Sequence, residues 1–230
     1  TYSNASYSLQ FRHIDGIDYL SWICDTDGNT SSEGYFTLDI PVSDLVDNKW
    51  HQIVCTREQS TGSVKIYLDG RLADSGTSAT NTFNSPQDFT VGSHVWRDRS
   101  FFSGYLDNIS FWDKVLSTEE INSHISGILT GDESNLLGYW NFNEGSGSSF
   151  TDLVSGTNGS INGATWSSNV PIAGCTDQYA DNYNSNASLD DGSCSGYPDN
   201  GDFSLDFDGE DDFVSIGNSS DFNIINELTI

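Results

Sequence analysis

Hydrophobic and polar positions alternate in short runs along most of this chain. Val64, Ile66 and Leu68 face one way and Lys65, Tyr67 and Asp69 the other, which is the period-2 pattern of a half-buried strand. Asp69-Gly70 ends that run with a dipeptide that tolerates two positive φ angles in a tight hairpin turn. Across residues 1–112 such runs are separated by turn clusters about every 8–12 residues, the pattern of an all-β sandwich. A helical signal follows. Ser117-Thr118-Glu119-Glu120 reads as a capping box, with Ser117 as cap and Glu120 three residues on, and Ile121 and Ile125 fall on one helix face. Strand patterns return over residues 136–166, where Asn158-Gly159 and Asn162-Gly163 mark turns. Trp22, Trp50, Trp112, Trp140 and Trp166 all sit in apolar patterns and are expected in the core.

Aromatic-anchored motifs occur in a fixed order. Asp47-Asn48-Lys49-Trp50-His51 leads into Ile53-Val54. Lys65-Ile66-Tyr67-Leu68-Asp69-Gly70-Arg71 comes next. Val91-Gly92-Ser93 is followed by Gly104-Tyr105-Leu106-Asp107-Asn108-Ile109-Ser110-Phe111-Trp112, and then by Leu137-Gly138-Tyr139-Trp140-Asn141-Phe142-Asn143-Glu144-Gly145. This order resembles the laminin-G-like, pentraxin-like domains over roughly residues 1–170. The resemblance implies a concanavalin A-like antiparallel β-sandwich (jelly roll) with one short helix after Trp112. It also implies an extracellular protein that binds carbohydrate or protein, often with calcium.

The rest of the chain divides further. Residues 171–202 hold an acidic cysteine-bearing stretch that resembles the Asp/Asn-rich modules recurring between domains of large surface proteins. Residues 203–230 carry Phe203, Leu205, Phe207, Phe213, Val214 and Ile216 in a pattern resembling the opening hairpin of a laminin-G-like domain. The N-terminal domain lacks that opening on this reading, because the interval from Gly16 to Trp50 is too short for Ser8–Ser21 to serve as it. The expected organisation is therefore a sandwich over 1–170 without its opening strands, a linker module over 171–202, and opening strands over 203–230 that complete this or a neighbouring copy. The chain begins mid-pattern, as a mature fragment of something longer would.

Charge narrows the partners. Eight basic residues stand against 34 acidic ones, a net charge of −26, and residues 115–230 contain no Lys or Arg. Binding nucleic acid needs a basic patch that displaces counterions, so that partner is excluded, and an anionic membrane surface with it. No run of 18 apolar residues suggests a membrane span. Divalent cations are the natural complement of such a chain; a solubilising acidic surface explains the same composition.

Cys24, Cys55, Cys175 and Cys194 include no C-x-x-C pair, so they do not read as a zinc site. An even count in an acidic, Asn/Ser/Gly-rich chain favours disulfides and an oxidising compartment. Cys175–Cys194 closes one short polar segment. Cys24–Cys55 is the second expected pair, with two buried free thiols as the alternative.

Catalysis finds little support. His13, His51, His94 and His124 make no metal-site spacing on a helix, and His51 reads as a packing position. Glycoside hydrolysis needs two carboxylates across a cleft, and Glu119-Glu120 is better explained by helix capping. Calcium is the expected cofactor, since a hard dication takes six to eight oxygens. Asp177, Asp181, Asn182, Asn184, Asp190 and Asp191 in the Cys175–Cys194 loop are the first candidate ligands. Asp208, Asp211 and Asp212, with Asp107, are the second. A solvated linker and backbone-capping turns are the respective alternatives. For carbohydrate, Trp96 could stack on a sugar ring with Arg97 and Arg99 as hydrogen-bond donors, or pack in the core. The expected function is a non-catalytic, calcium-supported adhesion or assembly module of a repetitive surface or filament protein. Its partners would be other copies, through strand addition, or cell-surface glycan. A carbohydrate-binding module attached to a secreted polysaccharide-degrading enzyme is the alternative.

Overall fold

The computed structural model describes residues 6–25, 34–82, 89–92, 101–127 and 129–197. Its N-terminal sheet is antiparallel in the order β1 (Ser6–Ile14), β2 (Ile17–Asp25), β3 (Tyr35–Pro41). The β1–β2 hairpin closes on Asp15-Gly16, with φ of 50° and 84°, the positive pair that a tight two-residue turn demands. A second antiparallel sheet runs β4 (Ile53–Arg57), β5 (Ser63–Leu68), β6 (Arg71–Thr77). Its β5–β6 turn is Asp69-Gly70, with φ of 48° and 74°, at the position the alternation marks.

Alternation along these strands builds the core. Trp22, Cys24, Leu38 and Ile40 from the first sheet pack with Val64 and Ile66 from the second, flanked by Phe36, Ile53, Cys55 and Leu68. Two facing apolar surfaces of this kind make a sandwich. Burying each large side chain contributes roughly 1.5–3 kcal/mol. The opposite face of the second sheet is also covered. There Tyr67 packs with Leu116 and Ile121, with Val54 and Trp112 alongside. Leu116 and Ile121 flank the start of α1 (Thr118–Ser126), whose capping box forms as its sequence indicates. The Ser117 hydroxyl accepts from the Glu120 N–H, and the Glu120 carboxylate accepts from the Ser117 N–H. Gly70 sits at a φ of 74° with the Asn122 and Ile125 side chains of α1 against it, so a larger residue there would be strained and would have to displace them.

Strand β7 (Ile109–Trp112) pairs antiparallel with β8 (Leu136–Trp140). β9 (Ser149–Thr151) pairs with β10 (Asn158–Ser160). Between them Asp152 is 5% exposed and accepts from the Tyr139 and Val154 N–H groups and the Ser155 hydroxyl. Burial alone would raise its pKa; the Ser155 hydroxyl and these backbone donors outweigh it and hold the carboxyl below its ordinary value. The last elements, β11 (Ala173–Gly174) and β12 (Leu189–Asp190), form a short parallel pair. Beside it lies the Cys175–Cys194 disulfide, Cα–Cα 4.7 Å. The fold is thus an all-β, concanavalin A-like antiparallel sandwich with one short helix and a small disulfide loop. Thr1–Gly196 forms one compact unit. Residues 203–230, expected to supply opening strands, lie outside the described residues.

The second expected disulfide is not formed: Cys24 and Cys55 are free thiols. Both sit in the inter-sheet core, Cys24 fully buried in the cluster and Cys55 packed against it. Desolvation pushes the Cys24 thiol up to about 12 against a smaller opposing pull from Arg57, and desolvation likewise raises Cys55. Disulfides form through a thiolate, and an apolar core suppresses it. These two cysteines serve as small hydrophobic side chains.

Candidate functional site

Strand β1 is one edge of its three-stranded sheet among the described residues, and it is long and regular. Natural edges are usually short, bulged, or guarded by Lys or Pro. Here nine consecutive residues pair with β2 in unbroken register, from Ser6 opposite Asp25 to Ile14 opposite Ile17. Tyr7, Leu9 and Phe11 lie opposite Cys24, Trp22 and Leu20 and so share the core-facing side of the sheet. The β2 residues are 0%, 9% and 5% exposed, while Leu9 and Phe11 are 44% and 53% exposed. The apolar face therefore continues past the covered core to the edge. Aromatic rings extend it: Tyr7 lies 5.7 Å from Trp22 and 6.0 Å from Phe111, and Phe11 stacks on Phe102 at 6.3 Å. Phe101, beside Phe102, is also largely exposed. Ser8, Gln10 and Arg12 occupy the other face of β1, and Arg12 has no ion-pair partner among the described residues. The signal for this surface is the Tyr7/Leu9/Phe11 alternation.

A polar latch holds the Trp50-His51 loop. His51 Nδ1 lies 2.8 Å from Asp69 Oδ2 and Nε2 lies 3.0 Å from Asp47 Oδ1. The other Asp69 oxygen accepts from the Gln52 N–H at 2.8 Å. His51 is therefore more than the packing residue its motif suggests: it ties the loop to the β5–β6 turn. Desolvation would lower its pKa; the Asp69 and Asp47 hydrogen bonds and charges outweigh it and raise it. A raised folded-state pKa gives stability that is complete below the unfolded value of about 6.5 and fades as pH rises through the folded value. His51→Gln should accordingly lose more stability relative to wild type near pH 5.5 than near pH 8.5, by about 1 kcal/mol for the lost charge-assisted bonds. Paired urea melts at the two pH values check this; equal losses at both would contradict it.

The Cys175–Cys194 loop uses its acids and amides locally. Asp177 accepts from the Tyr179 N–H at 2.9 Å, Asp190 from Gly192 at 3.0 Å, and Asp191 from Ser193 at 2.9 Å. Asn184 accepts from Asn186 at 3.0 Å, each of these closing its own Asx turn. Asn182 bridges to the end of the loop, donating to the Ser193 carbonyl at 2.7 Å and accepting from the Ser195 N–H at 2.8 Å. The Asp181 carboxylate lies beside Gly196. Among the described residues no three Asp, Glu, His or Cys side chains converge as a metal site. The Trp50 N–H donates to the Ser188 carbonyl at 3.0 Å and ties the module's backbone to the sandwich.

Asp107 stands apart from this loop. It is half-buried at the entry to β7, accepts from the Asn108 N–H at 2.9 Å, and has its pKa raised by burial. Tyr139 donates from its hydroxyl to Asn108 at 2.7 Å. Asp208, Asp211 and Asp212, and the sugar-binding candidates Trp96, Arg97 and Arg99, lie outside the described residues. No helix among the described residues is long and apolar enough to cross a membrane.

The paired sheets, the capped helix and the Trp50-His51 latch define a β-sandwich of the lectin-like class. Residues 2–122 match the Laminin_G_3 model, described as the concanavalin A-like lectin/glucanases superfamily, and the chain belongs to that family. A curated relative is the sushi, von Willebrand factor type A, EGF and pentraxin domain-containing protein 1 of Rattus norvegicus, 25% identical over 114 residues. That match covers 46% of this chain and 3% of the rat protein. Among solved structures, a Bacteroides ovatus protein to which carbohydrate binding has been attributed is 20% identical with a TM-score of 0.49, covering 63% of this chain and 40% of its own. An S-layer domain-containing protein from Clostridium thermocellum is 16% identical with a TM-score of 0.28, covering 53% and 64% respectively.

Proposed function

We propose that this chain is a non-catalytic, extracellular adhesion and assembly module that binds through the half-exposed apolar face of β1. The single observation that carries this reading is that Leu9 and Phe11 remain about half exposed on β1, a nine-residue, unbulged strand at a sheet edge among the described residues. An edge of that kind is a template for another strand, and strand addition is an established mode of protein recognition. The Cys175–Cys194 disulfide supports an oxidising, extracellular setting. Hydrolysis draws no support from the shallow concavity lined by Glu58, Gln59, Ser60 and Thr80. It offers one carboxylate where glycosidases use two.

Residue-resolved amide hydrogen exchange over a range of protein concentrations tests the reading. In dilute protein the β1 amides that do not bond to β2 should exchange freely. At high concentration they should gain at least about tenfold protection, as ladder amides do in a paired sheet. Protection that is absent at every concentration would overturn the reading. Protection that appears only with added polysaccharide would replace it with a carbohydrate-binding one.

A further inference from the structure

We propose that Asn162 is a self-modification site, where the side-chain amide is displaced by the following backbone nitrogen and the residue becomes a mixture of aspartate and isoaspartate. The chemistry needs only water and is independent of assembly. Two Asn-Gly dipeptides in similar local sequence, Asn158-Gly159-Ser160 and Asn162-Gly163-Ala164, stand close together, and the fold treats them oppositely. A third, Asn200-Gly201, lies outside the described residues.

The first dipeptide is shut. Asn158 and Gly159 lie in β10, opposite Thr151 and Phe150 of β9. The Asp152 N–H donates to the Thr157 carbonyl and the Ile161 N–H to the Ser148 carbonyl, both at 2.9 Å, and these bonds bracket the stretch. Hydrogen-bonded and non-hydrogen-bonded pairs alternate along an antiparallel ladder, so Gly159 falls in a hydrogen-bonded pair with Phe150 and its N–H is occupied. The Phe150 ring covers Gly159, and the Thr151 hydroxyl donates to the Asn158 amide oxygen at 3.2 Å. The nitrogen that would attack and the amide it would attack are both held.

The second dipeptide is open. Asn162 and Gly163 are exposed and follow the end of β10. Among the described residues the Asn162 side chain and the Gly163 N–H have no hydrogen-bond partner. No atom there beyond the chain neighbours lies within 4 Å of where a side chain at Gly163 would project. Gly163 takes a φ of 87°, and a glycine backbone turns more freely than any other, which lets its nitrogen swing onto the neighbouring side chain.

The Gly163 nitrogen gives its proton to solvent and bonds to Asn162 Cγ. The Cγ–Nδ2 bond breaks, and the side-chain nitrogen takes up a proton and leaves as ammonia. The product is a five-membered succinimide, which water opens at either carbonyl. Cleavage at Cγ gives aspartate. Cleavage at the main-chain carbonyl carbon gives isoaspartate, whose chain runs through Cγ. Each product carries one new carboxylate. Isoaspartate also adds a main-chain carbon between two ties of this segment, the Ile161 bond and the Trp166 Nε1–H donated to the Gly147 carbonyl at 2.8 Å.

The test incubates the full chain in mildly alkaline buffer, folded and in urea. Peptides are then mapped by mass spectrometry with electron-transfer fragmentation, which separates isoaspartate from aspartate. In the folded chain Asn162 should convert at least about tenfold faster than Asn158, because a ladder amide reacts only from locally opened states. In urea the two rates should converge. Equal rates in the folded chain, or faster conversion at Asn158, overturn the proposal. So does conversion of Asn162 to aspartate alone, the mark of direct hydrolysis without the ring. A difference that persists undiminished in urea would trace to sequence instead of fold and overturns it as well.

Discussion

Reduction of the Cys175–Cys194 bridge is expected to cost the 172–196 module about 3 kcal/mol, the chain-entropy value for a loop of this size. The module has little else to lose. Its buried apolar set among the described residues is Cys175, Ala180 and Leu189, and its only strands are the two-residue pair β11 and β12. Asx turns shape the loop but are exposed, so their hydrogen bonds compete with water. Reduced protein should therefore show rapid amide exchange and easy proteolysis within residues 175–194, while the inter-sheet core around Ile66 keeps its protection. Alkylation gives a second readout. Denatured, unreduced protein should take up label at Cys24 and Cys55 alone, and all four cysteines should label after reduction. Folded protein should label at neither Cys24 nor Cys55, because burial raises both thiols far above neutral pH. Two labels lacking in denatured, unreduced protein beyond the Cys175–Cys194 pair would mean that Cys24 and Cys55 are bridged after all.

Much of the sandwich is legible in the sequence, and the reasons are local. The Val64/Ile66/Leu68 alternation, the Asp69-Gly70 turn and the Ser117–Glu120 capping box each encode their structure within a few residues. The Cys175–Cys194 bridge is also local, closing a short polar loop. What the sequence obscures is tertiary. Whether Cys24 and Cys55 bond or merely pack depends on how two sheets meet, which no spacing reveals. His51 gains its carboxylate partners because Asp69 is brought back by the β4–β5 hairpin, eighteen residues away in sequence. The sequence also hides the local turns of the 177–191 loop, where Asp177, Asp190 and Asp191 each accept from the N–H two residues on. Exposure is the hardest property to read: Leu9 and Leu38 look alike in the sequence, yet Leu38 is 2% exposed and Leu9 is 44% exposed. Among the described residues both leucines stand on edge strands of the same sheet, but Leu38 on β3 packs with Val64 and Ile66 of the second sheet while Leu9 on β1 stays outside that cluster, and that difference singles out the candidate surface.

The most direct measurement of the central claim is sedimentation velocity of wild type beside Leu9→Lys over a wide concentration range. Leu9 is half exposed, so a lysine there can reach solvent in the free chain and the fold should persist, with the core around Ile66 untouched. In a seated strand the same charge would face an apolar surface, the device by which natural edges refuse partners. Fully burying a leucine contributes roughly 1.5–3 kcal/mol; with Leu9 44% exposed a seated strand gains about 0.7–1.3 kcal/mol of it, so its loss alone corresponds to about a three- to tenfold weaker association, to which the cost of burying the charge adds. The account predicts that wild type shifts to larger species as concentration rises and that Leu9→Lys remains a folded monomer throughout. A wild type that stays monomeric at every concentration, or a folded Leu9→Lys that assembles as well as wild type, would contradict it.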